Sequence, residues 1–220
     1  VHPVLGQDAI EERAVEDRPG ELARDERRQR RVERIDVDGD DGVGLVVGEP
    51  GDEAVADLAA RAVTSTAGLR ILNISDPSHP YEVGFYDAPY GTWNATKLVV
   101  GGSYAYIADP VNGLRILDVS NPSSPSQVSL YQTSQFVFGV AISGNYAYLS
   151  KDNGLEVVDI SNPSNPSLVT LLGEGAGRDL VVVGNYAYIV AAQAYNDYGW
   201  LRVVDISDPA HPKFIKSYDA

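Results

Sequence analysis

Carboxylates are the side chains best able to do chemistry in this 220-residue chain, which carries 31 acidic residues against 17 basic ones and 3 histidines. Four aspartates stand at expected loops or strand ends, Asp109, Asp152, Asp179 and Asp197. Gathered at a rim or channel, they would give a hydrolase or lyase its acid and base; a glycosidase would need two of them within about 5–10 Å. With no cysteine, a thiol nucleophile, a zinc-thiolate site, an iron–sulfur cluster and a disulfide scaffold are all ruled out. The histidines are His2, His79 and His211. The latter two hold one place in matching turns, Pro77-Ser78-His79-Pro80 and Pro209-Ala210-His211-Pro212, where other turns carry Ser124 and Asn165. That is a variable turn position, not a metal pair or a catalytic base. A serine elbow and a metal-spaced histidine pair are also missing. Gly173-Glu174-Gly175-Ala176-Gly177 is glycine-rich, but no helix follows it to hold a phosphate. Neither a catalytic set, a metal nor a cofactor is expected.

Other residues read more simply as structure. Asp118, Asp159 and Asp205 each precede a serine and an Asn/Asp-Pro turn. A carboxylate there accepts backbone N–H bonds and fixes the turn, which outweighs a ring of cation ligands. Asp36-Val37-Asp38-Gly39-Asp40-Asp41-Gly42 spaces its acids like the start of a calcium loop. Asp41 stands where the glycine belongs, however, and Val47 where the closing glutamate belongs. A solvated acidic turn is the expectation. Contact chemistry gathers elsewhere, on Trp93, Asn112, Asn153, Tyr195, Asn196, Asp197, Tyr198 and Trp200. Aromatic and amide side chains on loops of a rigid scaffold suit protein or glycan ligands.

The elements that must carry these loops come from a repeat. Gly68-Leu69-Arg70-Ile71-Leu72-Asn73-Ile74-Ser75-Asp76-Pro77 returns from Gly113, from Gly154 and from Trp200. Gly102-Ser103-Tyr104-Ala105-Tyr106 returns as Gly144-Asn145-Tyr146-Ala147-Tyr148 and Gly184-Asn185-Tyr186-Ala187-Tyr188, each after an apolar run. Each unit reads as four short strands; in the second these are Ala95–Val100, Tyr104–Ala108, Leu114–Val119 and Gln127–Gln132. Paired prolines end the third strand cleanly. Four strands in about 40–46 residues, repeated, is the arithmetic of a β-propeller, with strands covered on both faces by neighbouring blades.

Leu155-Glu156-Val157-Val158-Asp159-Ile160, followed by Ser161-Asn162-Pro163, together with Gly144–Tyr148, resembles the LVIVD-repeat proteins of bacterial and archaeal surfaces. The resemblance covers 68–220 and implies a repeat architecture at the cell surface or outside the cell, with no general catalytic motif to carry over. Asn73 departs from the pattern where the other copies have Asp118, Asp159 and Asp205. Counting strands gives a half-blade at 68–90 and full blades at 95–132, 137–173 and 178–219. The expected fold class is therefore all-β, a partial, open β-propeller of about three and a half four-stranded blades. Its uncovered end faces favour self-association.

Residues 1–67 are unlike the rest. Up to Val63 they hold 9 Arg, no Lys and 17 acids, a net of −8 out of −14, and all the aromatics lie later. Such a leader is disordered or weakly helical, or else a mistranslated stretch. All residues of 1–63 but Ile10 and Ile35 have codons that can begin with G or C, as the complementary reading of a GC-rich gene would give. No signal peptide is evident, and the longest apolar run, Tyr186–Ala192, is too short to cross a membrane as a helix. Net acidity opposes nucleic acid as a partner. The leading expectation is a non-enzymatic surface or secreted propeller fragment presenting loops to protein or glycan. A propeller hydrolase or lyase, and a purely structural repeat of a larger surface protein, are the alternatives.

Overall fold

A computed structural model describes residues 34–36, 44–47, 58–62, 68–74, 76, 78–88, 95–173, 177–192 and 199–219. Every regular element among them is a strand. Three sheets of four antiparallel strands follow the repeat. The first comprises β6 (Lys97–Gly101), β7 (Tyr104–Asp109), β8 (Gly113–Asp118) and β9 (Ser126–Tyr131). Next come β10 (Val137–Ser143), β11 (Tyr146–Lys151), β12 (Gly154–Asp159) and β13 (Ser167–Leu172). The last holds β14 (Asp179–Val183), β15 (Tyr186–Ala192), β16 (Gly199–Asp205) and β17 (Lys213–Asp219). Strand order is sequential in each, so every blade is a meander.

The chain reverses between the first two strands of each blade through two-residue turns opening on Gly102, Gly144 and Gly184. These glycines have φ of 56°, 55° and 57°, a left-handed conformation that glycine adopts without a Cβ penalty. In each blade the third and fourth strands slip register once, for example between Ile116 and Leu117. Such a bulge adds twist to the sheet.

Ahead of these stands a sheet in which β4 (Leu69–Asn73) and β5 (Tyr81–Tyr86) supply the third and fourth strands expected of the half-blade at 68–90. The structure extends it. β3 (Leu58–Ala62) pairs with β4, β2 (Gly44–Val47) with β3, and β1 (Arg34–Asp36) with β2, giving five strands. Leu58 pairs with Asn73 as Tyr104 pairs with Asp118. The strand-two place is therefore filled by Leu-Ala-Ala-Arg-Ala, which lacks the Tyr-Ala-Tyr signature by which the other copies announce themselves. The remaining residues of 1–67, including the acidic turn after Asp36, lie outside the described residues.

Four sheets enclose three apolar layers. Leu69 and Ile71 pack with Ala105, Ile107 and Leu117. Tyr106, Leu114 and Ile116 pack with Val140, Leu149 and Val158. Tyr148, Leu155 and Val157 pack with Leu180, Ile189 and Val204. Strands seven and eight, and eleven and twelve, are therefore buried on both faces, as the continuous apolar runs require. No fourth layer covers the far side of the last sheet among the described residues. There Val181, Tyr186, Ile215 and Tyr218 are 42%, 43%, 54% and 54% exposed. Their counterparts Val99, Tyr104, Val128 and Tyr131 all pack against the following blade. Among the described residues this outer face is left uncovered.

Candidate functional site

Antiparallel meanders put the strand two–three loops and the blade-to-blade connections on one rim, and the hairpin and Pro-bearing turns on the other. The loop rim carries the buried charge. Asp109 ends β7 and Arg115 opens β8; Arg115 Nη2 donates to Asp109 Oδ2 at 3.1 Å, with the side chains 3% and 1% exposed. One blade on, the same two register positions hold Lys151 and Glu156, again buried and ion-paired, with Lys151 Nζ donating to Glu156 Oε2. The polarity is reversed.

Each pair takes further hydrogen bonds from its surroundings, as buried charge demands. Asp109 Oδ1 accepts the N–H groups of Val111 and Asn112 at 3.2 and 3.1 Å, and Oδ2 accepts the Asn112 amide at 3.0 Å. Arg115 Nη1 donates to Gln127 Oε1 at 2.5 Å, which also accepts the Tyr86 hydroxyl of the preceding blade at 3.1 Å. Glu156 Oε1 accepts the Tyr131 hydroxyl of its own preceding blade at 2.9 Å. Burial, then the bond to Glu156 and that carboxylate's charge, push the Tyr131 phenol well above its ordinary range. Lys97 in β6 meets Asp179 in β14 at 2.5 Å, bypassing the blade between them.

The arginine position recurs in the outer blades with different solutions. Arg70 in β4 reaches Asp87, just past the end of β5, at 3.2 Å and Glu82 in β5 at 3.6 Å, and lies 4.6 Å over the Phe85 ring. In the last blade Arg202 pairs across the ladder with Ile189 as Arg115 pairs with Ile107. The acid or amine position is now Ala191, and the preceding blade offers Leu172 in place of Tyr86 or Tyr131. Arg202 Nε and Nη1 are buried without a hydrogen-bond partner, as is Trp200 Nε1, and the guanidinium lies 5.2 Å over the Trp200 ring.

Trp200 itself departs from the repeat. At its place the other blades have Gly68, Gly113 and Gly154, with φ of 80°, 106° and 137°. A Cβ there would fall 2.0–2.2 Å from a strand-four carbonyl. In the last blade Trp200 pairs with Ala191 as Gly113 pairs with Asp109, and the ladder runs one pair further, to Ala192↔Gly199.

The residues expected to bind are therefore unequally placed. Asn112 spends its amide on Asp109. Asn153 is exposed in the short turn between β11 and β12, and Trp200 is half-buried beneath Arg202. Trp93, Tyr195, Asn196, Asp197 and Tyr198 lie outside the described residues. Of the acids expected for hydrolysis, Asp109 is held by Arg115 and Asp179 by Lys97. Asp152 is exposed, and Asp197 is outside the described residues.

On the opposite rim Asp118, Asp159 and Asp205 accept the N–H of Ser120, Ser161 and Ser207 at 2.8, 2.8 and 2.9 Å. These serine hydroxyl and amide bonds hold the three carboxyls below their ordinary range. His79 and His211 pair with Asp76 and Asp208 at 2.8 and 2.9 Å. Turns with Asn121 or Asn162 instead carry no histidine, a concerted change visible in the sequence. Groups of acids and histidines able to hold a metal are absent among the described residues. A cleft of about 340 Å³ opens on this rim between the last two blades, lined by Asn145, Tyr146, Tyr148, Asn185, Ser207 and Pro209. Sequence reasoning took these residues as strand and turn formers only.

Comparison with known proteins agrees with the architecture. Solved structures with similar folds include the RRP9 WD40 repeats, at 12% identity and TM-score 0.60, covering 84% of this chain and 53% of that one. The β-propeller domain of Cps50 (Swd1) from Myceliophteria thermophila matches at 12% identity and TM-score 0.56, covering 74% and 55%. The computationally designed Ika8 protein matches at 13% identity and TM-score 0.56, covering 74% and 46%. The chain thus spans about half the length of these proteins, and the likeness concerns fold alone. No curated protein matches. Among the described residues no helix is long and apolar enough to cross a membrane. The LVIVD repeat model matches residues 63–88, 94–133, 137–171 and 174–220, and the chain belongs to the LVIVD-repeat family.

Proposed function

We propose that the chain is a non-enzymatic binding module, displayed at the cell surface or secreted, whose loop rim engages a protein or glycan. One observation carries this reading. Strand pairing repeats register for register from blade to blade, while the strand two–three connections differ, at 110–112, 152–153 and 193–198. A rigid scaffold with divergent loops on one rim is the usual arrangement of recognition surfaces. The hydrolase or lyase alternative has less support, since Asp109 is neutralised by Arg115 within its own blade and Asp179 by Lys97 of another. A purely structural role would leave the rim without a ligand.

The test exchanges loop 193–198 for the Asp-Asn turn of residues 152–153. Native protein is expected to retain particular glycans on an array, or a defined protein in reciprocal capture, and the exchanged protein to lose them at unchanged melting temperature. Binding that survives the exchange, or no binding to either class, overturns the rim reading. Glycoside turnover abolished by Asp109→Asn would favour the enzyme.

A second contact has its own observation. Val181, Tyr186, Ile215 and Tyr218 are exposed at positions that inner blades bury against a neighbour. A second copy of this chain, which presents blades of the same register, is the occupant we propose for that face.

A further inference from the structure

We propose that Arg202 and Trp200 form a carboxylate-binding site at the loop-rim end of the contact between the third and fourth blades of the chain. This rests on the rim-binding reading and adds the chemistry of what is bound. In the two preceding blades the corresponding strand-three charge is matched inside the fold, Arg115 by Asp109 and Glu156 by Lys151, and reinforced by a tyrosine-led hydrogen bond from the blade before. In the last blade both devices are gone at once: Ala191 has no charge, and Leu172 has no hydroxyl. What remains is a guanidinium with buried donors that find no acceptor, 5.2 Å over the Trp200 ring, whose own indole N–H is likewise buried and without an acceptor. A buried donor without an acceptor costs about 1–3 kcal/mol, and more when charged. A chain of net charge −14 has many acids with which to fill that position and does not place one there.

The donor set selects the ligand. Arginine and indole nitrogen donate and do not accept, so the partner must bring oxygen lone pairs, and a carboxylate also answers the charge. The Trp200 ring, with the guanidinium 5.2 Å over its centre, gives an apolar wall beside it. The acid can come from a sugar acid or from a peptide side chain, and the same chemistry serves both.

The experiment follows the indole N–H resonances of ¹⁵N-labelled full-length chain. The two tryptophans give two signals, and Trp200→Phe identifies that of Trp200. Glucuronate and N-acetylaspartate are titrated against glucose and N-acetylasparagine as neutral controls. A saturable shift of the Trp200 signal with both acids, and with neither control, is the expected result. A shift with glucuronate alone assigns a sugar acid, and one with N-acetylaspartate alone a peptide acid. No shift with either acid overturns the proposal, as does an equal shift with the neutral controls.

Arg202→Leu removes an unpartnered cation and is expected to keep or raise the melting temperature while weakening the acid response about tenfold or more. A response that survives it overturns the proposal. Ala191→Asp rebuilds the internal pair of the second blade; it should raise the melting temperature and suppress the response, and an unchanged response overturns the site. Neutral glycans retained on the rim in the absence of any acid response would defeat this proposal alone. Loss of all rim binding in the loop exchange, with the acid response intact, would not touch it.

Discussion

Arg115 and Glu156 occupy one register position in successive blades, carry opposite charges, and are each more than nine-tenths buried against a partner of opposite sign. The two blades thus reach the same packing with mirror-image electrostatics. Burying two charges is repaid only by good geometry and further hydrogen bonds, and here Gln127, Tyr86 and Tyr131 contribute them.

Removing half of a pair should therefore be severe. Glu156→Gln strands Lys151 and is expected to cost about 3–5 kcal/mol in urea unfolding. Lys151→Met with Glu156→Leu should recover most of that loss, since an apolar replacement of similar volume is often neutral or better. Lys151→Asp with Glu156→Arg, which copies the second blade, should recover it as well. Equal destabilisation in all three would show that the pair's charges are not what matters.

Alkali tests the tyrosines. Burial raises the phenols of Tyr106 and Tyr148, and burial with the Glu156 bond raises Tyr131. Above about pH 10 the unfolded chain loses these protons while the folded chain keeps them, so stability falls as pH rises from there. Absorbance titration should show three late-ionising phenols that ionise only as the protein unfolds. Tyr131→Phe should flatten the alkaline slope while costing roughly 1–3 kcal/mol at neutral pH through its lost bond to a charged group.

Blade spacing depends on Gly84. A Cβ there would lie 2.2 Å from the Pro122 carbonyl oxygen and 2.8 Å from Ser123 Cα, both backbone. Ser129, at the corresponding place in the next blade, instead donates its hydroxyl to the Pro163 carbonyl at 2.7 Å. Gly84→Ala should destabilise by about 1–3 kcal/mol through overpacking, and Ser129→Ala by about 1 kcal/mol through the lost hydrogen bond. Thermal melts in which the two variants are equally mild would deny the close approach.

The exposed outer face of the last sheet should make the chain self-associate. Light scattering across a concentration series is expected to show a mass rising above one chain, and Val181→Lys with Ile215→Lys to return it to one. A native chain that stays monomeric throughout would rule out the second copy.

The blades were legible because their punctuation repeats. The turn glycine, Tyr-Ala-Tyr and Asp-x-Ser-Asn/Asp-Pro recur from blade to blade, and the turns have local physical causes in a left-handed glycine or a carboxylate accepting an amide. The strands before Gly68 were not legible, because Leu58–Ala62 joins the sheet through backbone pairing and carries none of those signals. Nor were the ion pairs. Asp109 reads as a free loop acid until register sets it against Arg115, and the opposition of Lys151 to Glu156 appears only when ladders are aligned. The concerted loss at Ala191 and Leu172 spans two strands of different blades, which no local pattern reports.

Reversed polarity also bears on how the chain finds its fold. Repeats this alike invite a strand of one blade to zip onto the wrong neighbour, a characteristic hazard of repeat proteins. A hybrid sheet of β7 with β12 would bury Asp109 against Glu156, and one of β11 with β8 would bury Lys151 against Arg115. Like charge in a dry contact makes both hybrids untenable. The alternation of sign works as an address, telling each strand which of its near-identical sisters it belongs beside.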